Sequence, residues 1–281
     1  LGPWTGRLSN SGEALVLQDA SRREVDRVRY ADEGDWALRR RGAPDRGTRG
    51  WEWYAEHDGH GRSLELVQPH LPNDAGQNWS ASLQPGGTPG APNSSERDNV
   101  APLIQQVAHQ PIVPAPSQPI RVTALVTDED VLPVDVRLHY RGHSVSPPSG
   151  FEMIPMTDDG RGADGLPGDG IFAAEIPAHA AGTVLEYYVS ARDNAGLERT
   201  WPAAVLDEHG TPVQEANANV QVVDSPPNTL RPLFRLILTE SERRTLESLD
   251  RLSNAEVNAT WISDDGVRTE VRHNAGLRIR G

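Results

Sequence analysis

Apolar residues in this chain occur in short alternating runs and never in a long one, and that pattern limits the fold more than any other feature. The 26 glycines and 23 prolines cluster between the runs. Punctuation at that spacing suits short strands joined by turns and interrupts long helices. No run approaches the roughly 20 apolar residues a membrane-spanning helix needs. A length of 281 residues predicts two domains or so, and a hydrophobic content of 36% is low for one compact globule. There is no cysteine, which excludes disulfides and thiolate metal sites. There is no lysine either: all 27 basic residues are arginine. A GC-rich coding bias accounts for this, and it excludes lysine-dependent chemistry within these residues. The net charge of −13 argues against a basic nucleic-acid footprint and suits solubility and cations.

Composition separates three regions. Residues 1–93 are rich in Trp, Arg and Gly; 94–100 form a linker; 101–223 alternate strand patterns with turn signals; 224–230 form a second linker; and 231–281 begin another pattern. In the first region Glu13–Asp19 and Glu24–Tyr30 alternate around the turn Asp19-Ala-Ser-Arg22, a hairpin, and Ser63–Val67 is a third strand. In the second, Ile120, Val122, Ala124 and Val126 share a face, as do Val134, Val136, Leu138 and Tyr140, and Leu185, Tyr187, Val189 and Ala191. Gly170–Ile176 and Ala218–Val223 add two strands, and short strands at this spacing predict an immunoglobulin-like or fibronectin-like sandwich. In the third, Leu233–Leu238 reads as a strand, Thr239-x-x-Glu242 as a capping box for a helix to Leu252, and Val257–Ile262 as a strand turning at Asp264-Asp-Gly266 into its partner.

Gly6-Arg-Leu-Ser-Asn-Ser-Gly-Glu13, Leu17-Gln-Asp19, Gly61-Arg-Ser-Leu-Glu65, Asn78-Trp79, Gly87-Thr-Pro-Gly90 and Pro92-Asn93 resemble, in order, the later part of a lamin-tail domain. The resemblance implies an immunoglobulin-like sandwich with a binding or scaffolding role, found in nuclear lamins and in exported bacterial proteins, and it brings no catalytic set. The run from Asp158 through Gly170-Ile-Phe172, with Glu186-Tyr-Tyr-Val189 and Ala191-Arg-Asp-Asn-Ala195, resembles immunoglobulin-like modules of large secreted bacterial proteins. Pro232-Leu-Phe-Arg-Leu236, the acidic-start helix and Gly276-Leu-Arg-Ile-Arg-Gly281 resemble the opening of the spore-coat CotH kinase-like family, whose metal-binding and catalytic residues fall further along. The chain opens without a counterpart of the lamin-tail family's first strands and closes in mid-pattern at Gly281. The expectation is therefore a piece of a larger protein, cut at both ends.

The strongest chemical candidate is Asp158-Asp-Gly-Arg-Gly-Ala-Asp-Gly-Leu-Pro-Gly-Asp-Gly170. Its four carboxylates, Asp158, Asp159, Asp164 and Asp169, lie in a glycine-rich loop. Calcium takes six to eight oxygens, and glycine lets backbone carbonyls contribute. The competing reading is ordinary turn chemistry before a strand. Asp128-Glu-Asp130 and Asp193-Asn194 follow strands and could join that loop at one end of the sandwich, or be solvated loop caps. Arg39, Arg40, Arg41, Arg46 and Arg49 interleave with Trp36, Trp51, Trp53 and Tyr54, a pattern that can bind nucleic acid. The acids Asp32, Glu33, Asp35, Asp45 and Glu52 dilute it, and a loop pinned by tryptophans and internal ion pairs is favoured. His57-Asp-Gly-His60 lacks a third metal ligand nearby and reads as a surface loop. The sequons at Asn78, Asn93 and Asn258 are incidental in a bacterial-looking chain.

These readings converge on a mainly β chain: tandem immunoglobulin-like β-sandwiches followed by the truncated start of an α+β kinase-like domain. The expected function is a set of non-catalytic scaffold or binding modules of a large exported or surface-attached bacterial protein, extracellular or at the cell surface. Its expected partners are proteins or cell-envelope components, with no required cofactor and calcium as the candidate ion. The alternative is an accessory region of a CotH-like kinase whose catalytic residues lie beyond residue 281, and a weaker one is nucleic-acid binding through the Arg/Trp loop.

Overall fold

The computed structural model describes residues 7–130, 134–143, 150–161, 164–224 and 232–280. Residues 1–6, linker positions 225–230 and Gly281, which entered the sequence reading, lie outside the described residues. The chain is mainly β. Strands β1 (Glu13–Gln18), β2 (Glu24–Tyr30), β3 (Leu38–Arg41), β4 (Trp51–Tyr54), β5 (Leu64–Leu66) and β6 (Trp79–Ala81) occupy the first hundred residues. Then come β7 (Leu103–Gln110), β8 (Ile120–Thr127), β9 (Asp135–Gly142), β10 (Glu152–Pro155), β11 (Ile171–Ile176), β12 (Val184–Arg192), β13 (Glu198–Trp201), β14 (Val205–Leu206), β15 (Pro212–Val213) and β16 (Ala218–Gln221). The last stretch holds β17 (Leu233–Ile237), helix α1 (Glu240–Ser248), β18 (Val257–Asp264) and β19 (Thr269–Leu277). No helix among the described residues is long and apolar enough to cross a membrane.

Contacts divide the chain into two compact units. The described residues of Leu1–Arg39 and Trp53–Val100 form one; those of Arg40–Glu52 and Ala101–Gly281 form the other. In the first unit β1 and β2 make the expected hairpin, closed by Arg22 N–H on the Asp19 carbonyl at 2.9 Å. β5 and β6 pair antiparallel beside it in sequence.

The second unit is built on two sheets. One runs β10-β9-β12-β13, with β16 also on β12, and the other runs β11-β8-β7. Both turn side chains into one apolar cluster that includes Ile104, Ile120, Val122, Val136, Leu138, Leu185, Tyr187 and Val189. Each fully buried aliphatic side chain there contributes about 1.5–3 kcal/mol. Alternation puts the expected faces of β8, β9 and β12 inward. β7 departs from alternation. Its register shifts between Gln105 and Ala108, and Gln106 adopts a left-handed φ of 51°. This bulge turns both Ile104 and His109 inward although they are five positions apart.

The sheet β17-β18-β19 and helix α1 complete this unit. Thr239 caps the helix, its hydroxyl accepting Glu242 N–H at 3.3 Å. Residues 40–52 pack here as well: Arg40 pairs in parallel with Leu206, and Trp51 N–H donates to the Glu256 carbonyl at 2.8 Å. Gly50 is required at that approach, because a Cβ would collide with the backbone of Ala255 and Glu256.

Candidate functional site

The register gathers the acidic segments of the second unit at one end. Ile171 opens β11 opposite Leu125, near the end of β8, and Val126 N–H donates to the Gly170 carbonyl at 2.8 Å. Asp128 follows β8, and Asp193 follows β12 where Arg192 pairs with Asp135 at the start of β9. Asp128–Asp130 and Asp193 therefore lie at the end of the sheets where β11 begins, and Asp193 is close enough to Asp128 for its charge to act there.

Within the loop the carboxylates serve backbone amides. Asp158 accepts from Gly168 N–H at 2.8 Å and Gly170 N–H at 2.9 Å. Asp169 accepts from Leu166 at 2.8 Å and Ile171 at 3.0 Å. Asp159 accepts from Arg161 at 3.0 Å. Asp164 Oδ2 accepts from Asp159 at 2.9 Å and Gly160 at 3.0 Å. Both oxygens of Asp158 and of Asp169 are thus engaged in shaping turns. Asp164 is different: it is fully buried, and its Oδ1 has no hydrogen-bond partner. Burial opposes its ionisation, but the Asp159 and Gly160 amides outweigh it and hold the carboxyl below its ordinary range. Asp128 Oδ2 and Asp193 Oδ2 are also buried without a partner. Burial, together with the negative charges of Glu129, Asp193 and Asp130, pushes Asp128 up, against the Asp130 amide. Among the described residues no three His, Asp or Glu side chains are grouped closely enough to form a metal site by themselves. A cation here would rest on Asp164, Asp159 and backbone oxygens, or on Asp128 and Asp193.

The first unit contains a cleft of about 430 Å³. Leu15, Val28, Leu64 and Trp79 line it with Tyr30 and Arg62. The Tyr30 hydroxyl donates to the Ser9 carbonyl at 2.7 Å, and His57 Nε2 lies 3.1 Å from the Ala31 carbonyl. Close by in sequence, the residues that carry the lamin-tail resemblance act as hydrogen-bond keystones. Glu65 is 4% exposed and accepts from the hydroxyls of Ser94 at 2.8 Å, Thr88 at 2.9 Å, Ser95 at 3.2 Å and Ser63 at 3.4 Å, and from Ser95 N–H at 3.0 Å. Burial works against its ionisation, yet these donors pull its pKa down to about 2. Asn78 bridges Gln68 N–H and the Gln68 carbonyl, both at 2.9 Å, and Asn93 donates to the Leu66 carbonyl at 3.0 Å. The sequon residues Asn78 and Asn258 are each 1% exposed, which closes them to glycans.

The Arg/Trp segment is tied down internally. In the second unit Trp51 is buried with Val205 and Ala216, its indole N–H donates to Glu242 at 3.0 Å, and the Arg41 guanidinium lies 3.5 Å from its ring centroid. Arg40 pairs with Glu52 at 2.8 Å, and Arg49 donates to the Gly42 carbonyl at 2.9 Å. In the first unit the Arg39 guanidinium lies 5.3 Å from the Trp53 ring centroid, and His60 lies 5.3 Å from Tyr54. These contacts match the loop pinned by tryptophans and ion pairs.

Two polar clusters escaped the sequence reading. Glu186, 1% exposed, accepts from Arg141 and pairs with His143, both at 2.7 Å, while Asn217 donates to its other oxygen at 2.7 Å. Burial raises its pKa less than these partners lower it. The only sequence signal is a charge inside the apolar run of β12. The second cluster joins His109, Tyr187 and His273, from three distant segments, and no spacing announces it. No family model matches this chain, and no curated protein shows a significant match to it.

Proposed function

We propose that this chain is a set of non-catalytic binding and scaffolding modules of a large exported or surface-attached bacterial protein, and that the first unit binds through the cleft beside the β1–β2 hairpin. The observation that carries this is the cleft itself: about 430 Å³, lined by aliphatic side chains, Trp79 and Tyr30, with Arg62 among its few charged groups. That volume and mixture fit a ligand or side-chain pocket. Val16, Leu17 and Val25 of the same hairpin are exposed, which adds apolar contact area. The lamin-tail resemblance points to the same role. Co-sedimentation of the purified chain with isolated bacterial cell-envelope fractions tests it. Binding should weaken at least about tenfold, a loss near 1.4 kcal/mol, in a Leu15→Asp, Tyr30→Ala variant that keeps its circular dichroism. Failure of the native chain to sediment, or equal sedimentation of the variant, would reject the proposal.

A second reading concerns the acidic end: a calcium ion neutralises its buried carboxylates. The orphaned Oδ1 of the fully buried Asp164 favours it, since an unpaired buried carboxylate oxygen is costly without a counter-charge. Millimolar Ca²⁺ should raise the melting temperature, and Asp164→Asn should abolish the rise. An unchanged melting temperature would remove the ion from the account.

A further inference from the structure

His109 of β7, Tyr187 of β12, His273 of β19 and Thr260 of β18 form a continuous chain inside the second unit. His109 Nε2 lies 3.2 Å from the Ile112 carbonyl, and its Nδ1 lies 3.1 Å from the Tyr187 hydroxyl. That hydroxyl lies 3.4 Å from His273 Nε2, and His273 Nδ1 lies 3.3 Å from the Thr260 hydroxyl, which accepts Asn219 N–H at 2.9 Å. The Ile112 end sets the direction of the bonds. A carbonyl can only accept, so His109 Nε2 carries the hydrogen and its neutral Nδ1 accepts from Tyr187. The Tyr187 oxygen is then free to accept from His273 Nε2–H. A neutral His273 with its hydrogen on Nε2 accepts at Nδ1 from Thr260, whose oxygen also accepts the Asn219 amide. The chain therefore runs one way, and it needs both imidazoles neutral.

We propose that this chain is an acid-releasable latch: proton uptake by His109 and His273 opens the seam between the two-sheet core and the β17–β19 sheet. Tyr187 belongs to the core cluster, whereas Thr260 and His273 belong to the last sheet. A proton on either Nδ1 would face a hydroxyl already pointing its hydrogen there. The two rings are only 5.4 Å apart between centroids, so two imidazolium ions would repel. Facing the rings are Tyr187 from β12, Trp201 from β13 at 5.6 Å from His273, Asn219 from β16 and Thr260 from β18. Among the described residues no carboxylate acts on either imidazole. Burial lowers His109 to about 4, slightly opposed by the Ile112 carbonyl; burial and the charge of His109 lower His273 to about 3.

Opening the seam returns both rings to water, where an imidazole takes a proton near pH 6.5. The closed seam is therefore most stable above about pH 6.5 and loses stability as pH falls from there toward the closed-state values. Each histidine shifts the opening equilibrium about tenfold per pH unit in that window, and the pair about a hundredfold. The device acts in mildly acidic surroundings, well above the pKa of either buried ring.

Hydrogen-exchange mass spectrometry of the full chain between pH 7.5 and 5, corrected for intrinsic exchange, reads the opening of β18 and β19. The expected opening constant is flat above about pH 7 and rises close to a hundredfold per unit below about 6. His109→Gln or His273→Gln should each remove one tenfold factor while leaving the other. A slope below tenfold per unit in the native chain would overturn the proposal, as would slopes unchanged in the glutamine variants. Should the variants fail to fold, histidine C2-proton titration of the native chain decides. Two imidazoles still neutral at pH 5.5 in the closed state support the latch, and ordinary titration of all nine histidines near 6.5 rejects it.

Discussion

Ile104, Leu138 and Tyr187 are fully buried at the centre of the second unit, whereas the most buried side chains described in the first unit include Glu65, Gln68, Asn78, Ser82 and Ser95. The apolar members there are smaller or fewer: Ala55, Leu71, Ala75 and Val100. Two kinds of cohesion follow. Apolar burial in the second unit is additive and tolerant of detail. A hydrogen-bonded interior is stringent, because each bond adds only about 1 kcal/mol net while an orphaned buried partner costs up to about 3 kcal/mol. The first unit is therefore held by a few irreplaceable polar residues, the second by many interchangeable apolar ones.

The largest effect should come from cutting the second unit's core. Leu138→Ala removes a fully buried side chain from the cluster that both sheets share and should cost about 3–4 kcal/mol in urea unfolding, with amide protection in β5 and β6 unchanged. A loss under about 1 kcal/mol would mean that the apolar cluster does not hold this unit. Glu186→Ala comes next. It strands Arg141, His143 and Asn217 around a vacated carboxylate and should cost about 3 kcal/mol. Glu186→Gln, which keeps an acceptor, should cost less. A cost under about 1 kcal/mol for Glu186→Ala would show that the second unit is held by apolar burial alone.

Acid separates the units at different pH. Glu65 is held down to about 2 against an unfolded value near 4.3. Its contribution is present above about 4.3 and is lost as pH falls from there toward 2. The buried histidines of the second unit begin to lose stability already at about 6.5. Moving from pH 6.5 to 5 should therefore loosen β17–β19 and leave β5–β6 protected in hydrogen exchange. Parallel loss in both would refute the role assigned to Glu65.

Much of this was legible in the sequence, and what was hidden has physical causes. β8 and β9 alternate in burial because a continuous core lies against one face, and the apolar residues of β12 alternate with them, although Glu186 and Ser190 on its other face are buried too. Thr239 announced its cap through its own chemistry. β7 was hidden by its bulge, since Gln106 takes a left-handed conformation that sequences mark with glycine. That bulge is also why His109 faces inward unannounced. The aspartates of loop 158–169 were legible as a group, but which of their oxygens serve amides depends on turns that composition does not encode. Glu65 stood inside a recognised motif, yet all its partners but Ser63 lie 23 to 30 residues away and meet it only after the chain folds back.

The smallest effect concerns the face that the proposed function uses. Val16, Leu17 and Val25 are 39%, 54% and 60% exposed, and burial of such side chains contributes little to the fold. Leu17→Ser should therefore change the stability of the first unit by less than about 0.5 kcal/mol. The same substitution should lower envelope co-sedimentation several-fold, because apolar area that is idle in the free chain becomes covered on binding. A stability loss above about 1 kcal/mol would show that Leu17 is packed and not available to a partner. Unchanged stability with unchanged binding would confine the contact to the cleft. Stability and binding thus respond to different residues in the first unit: Glu65 governs the one and the hairpin surface governs the other.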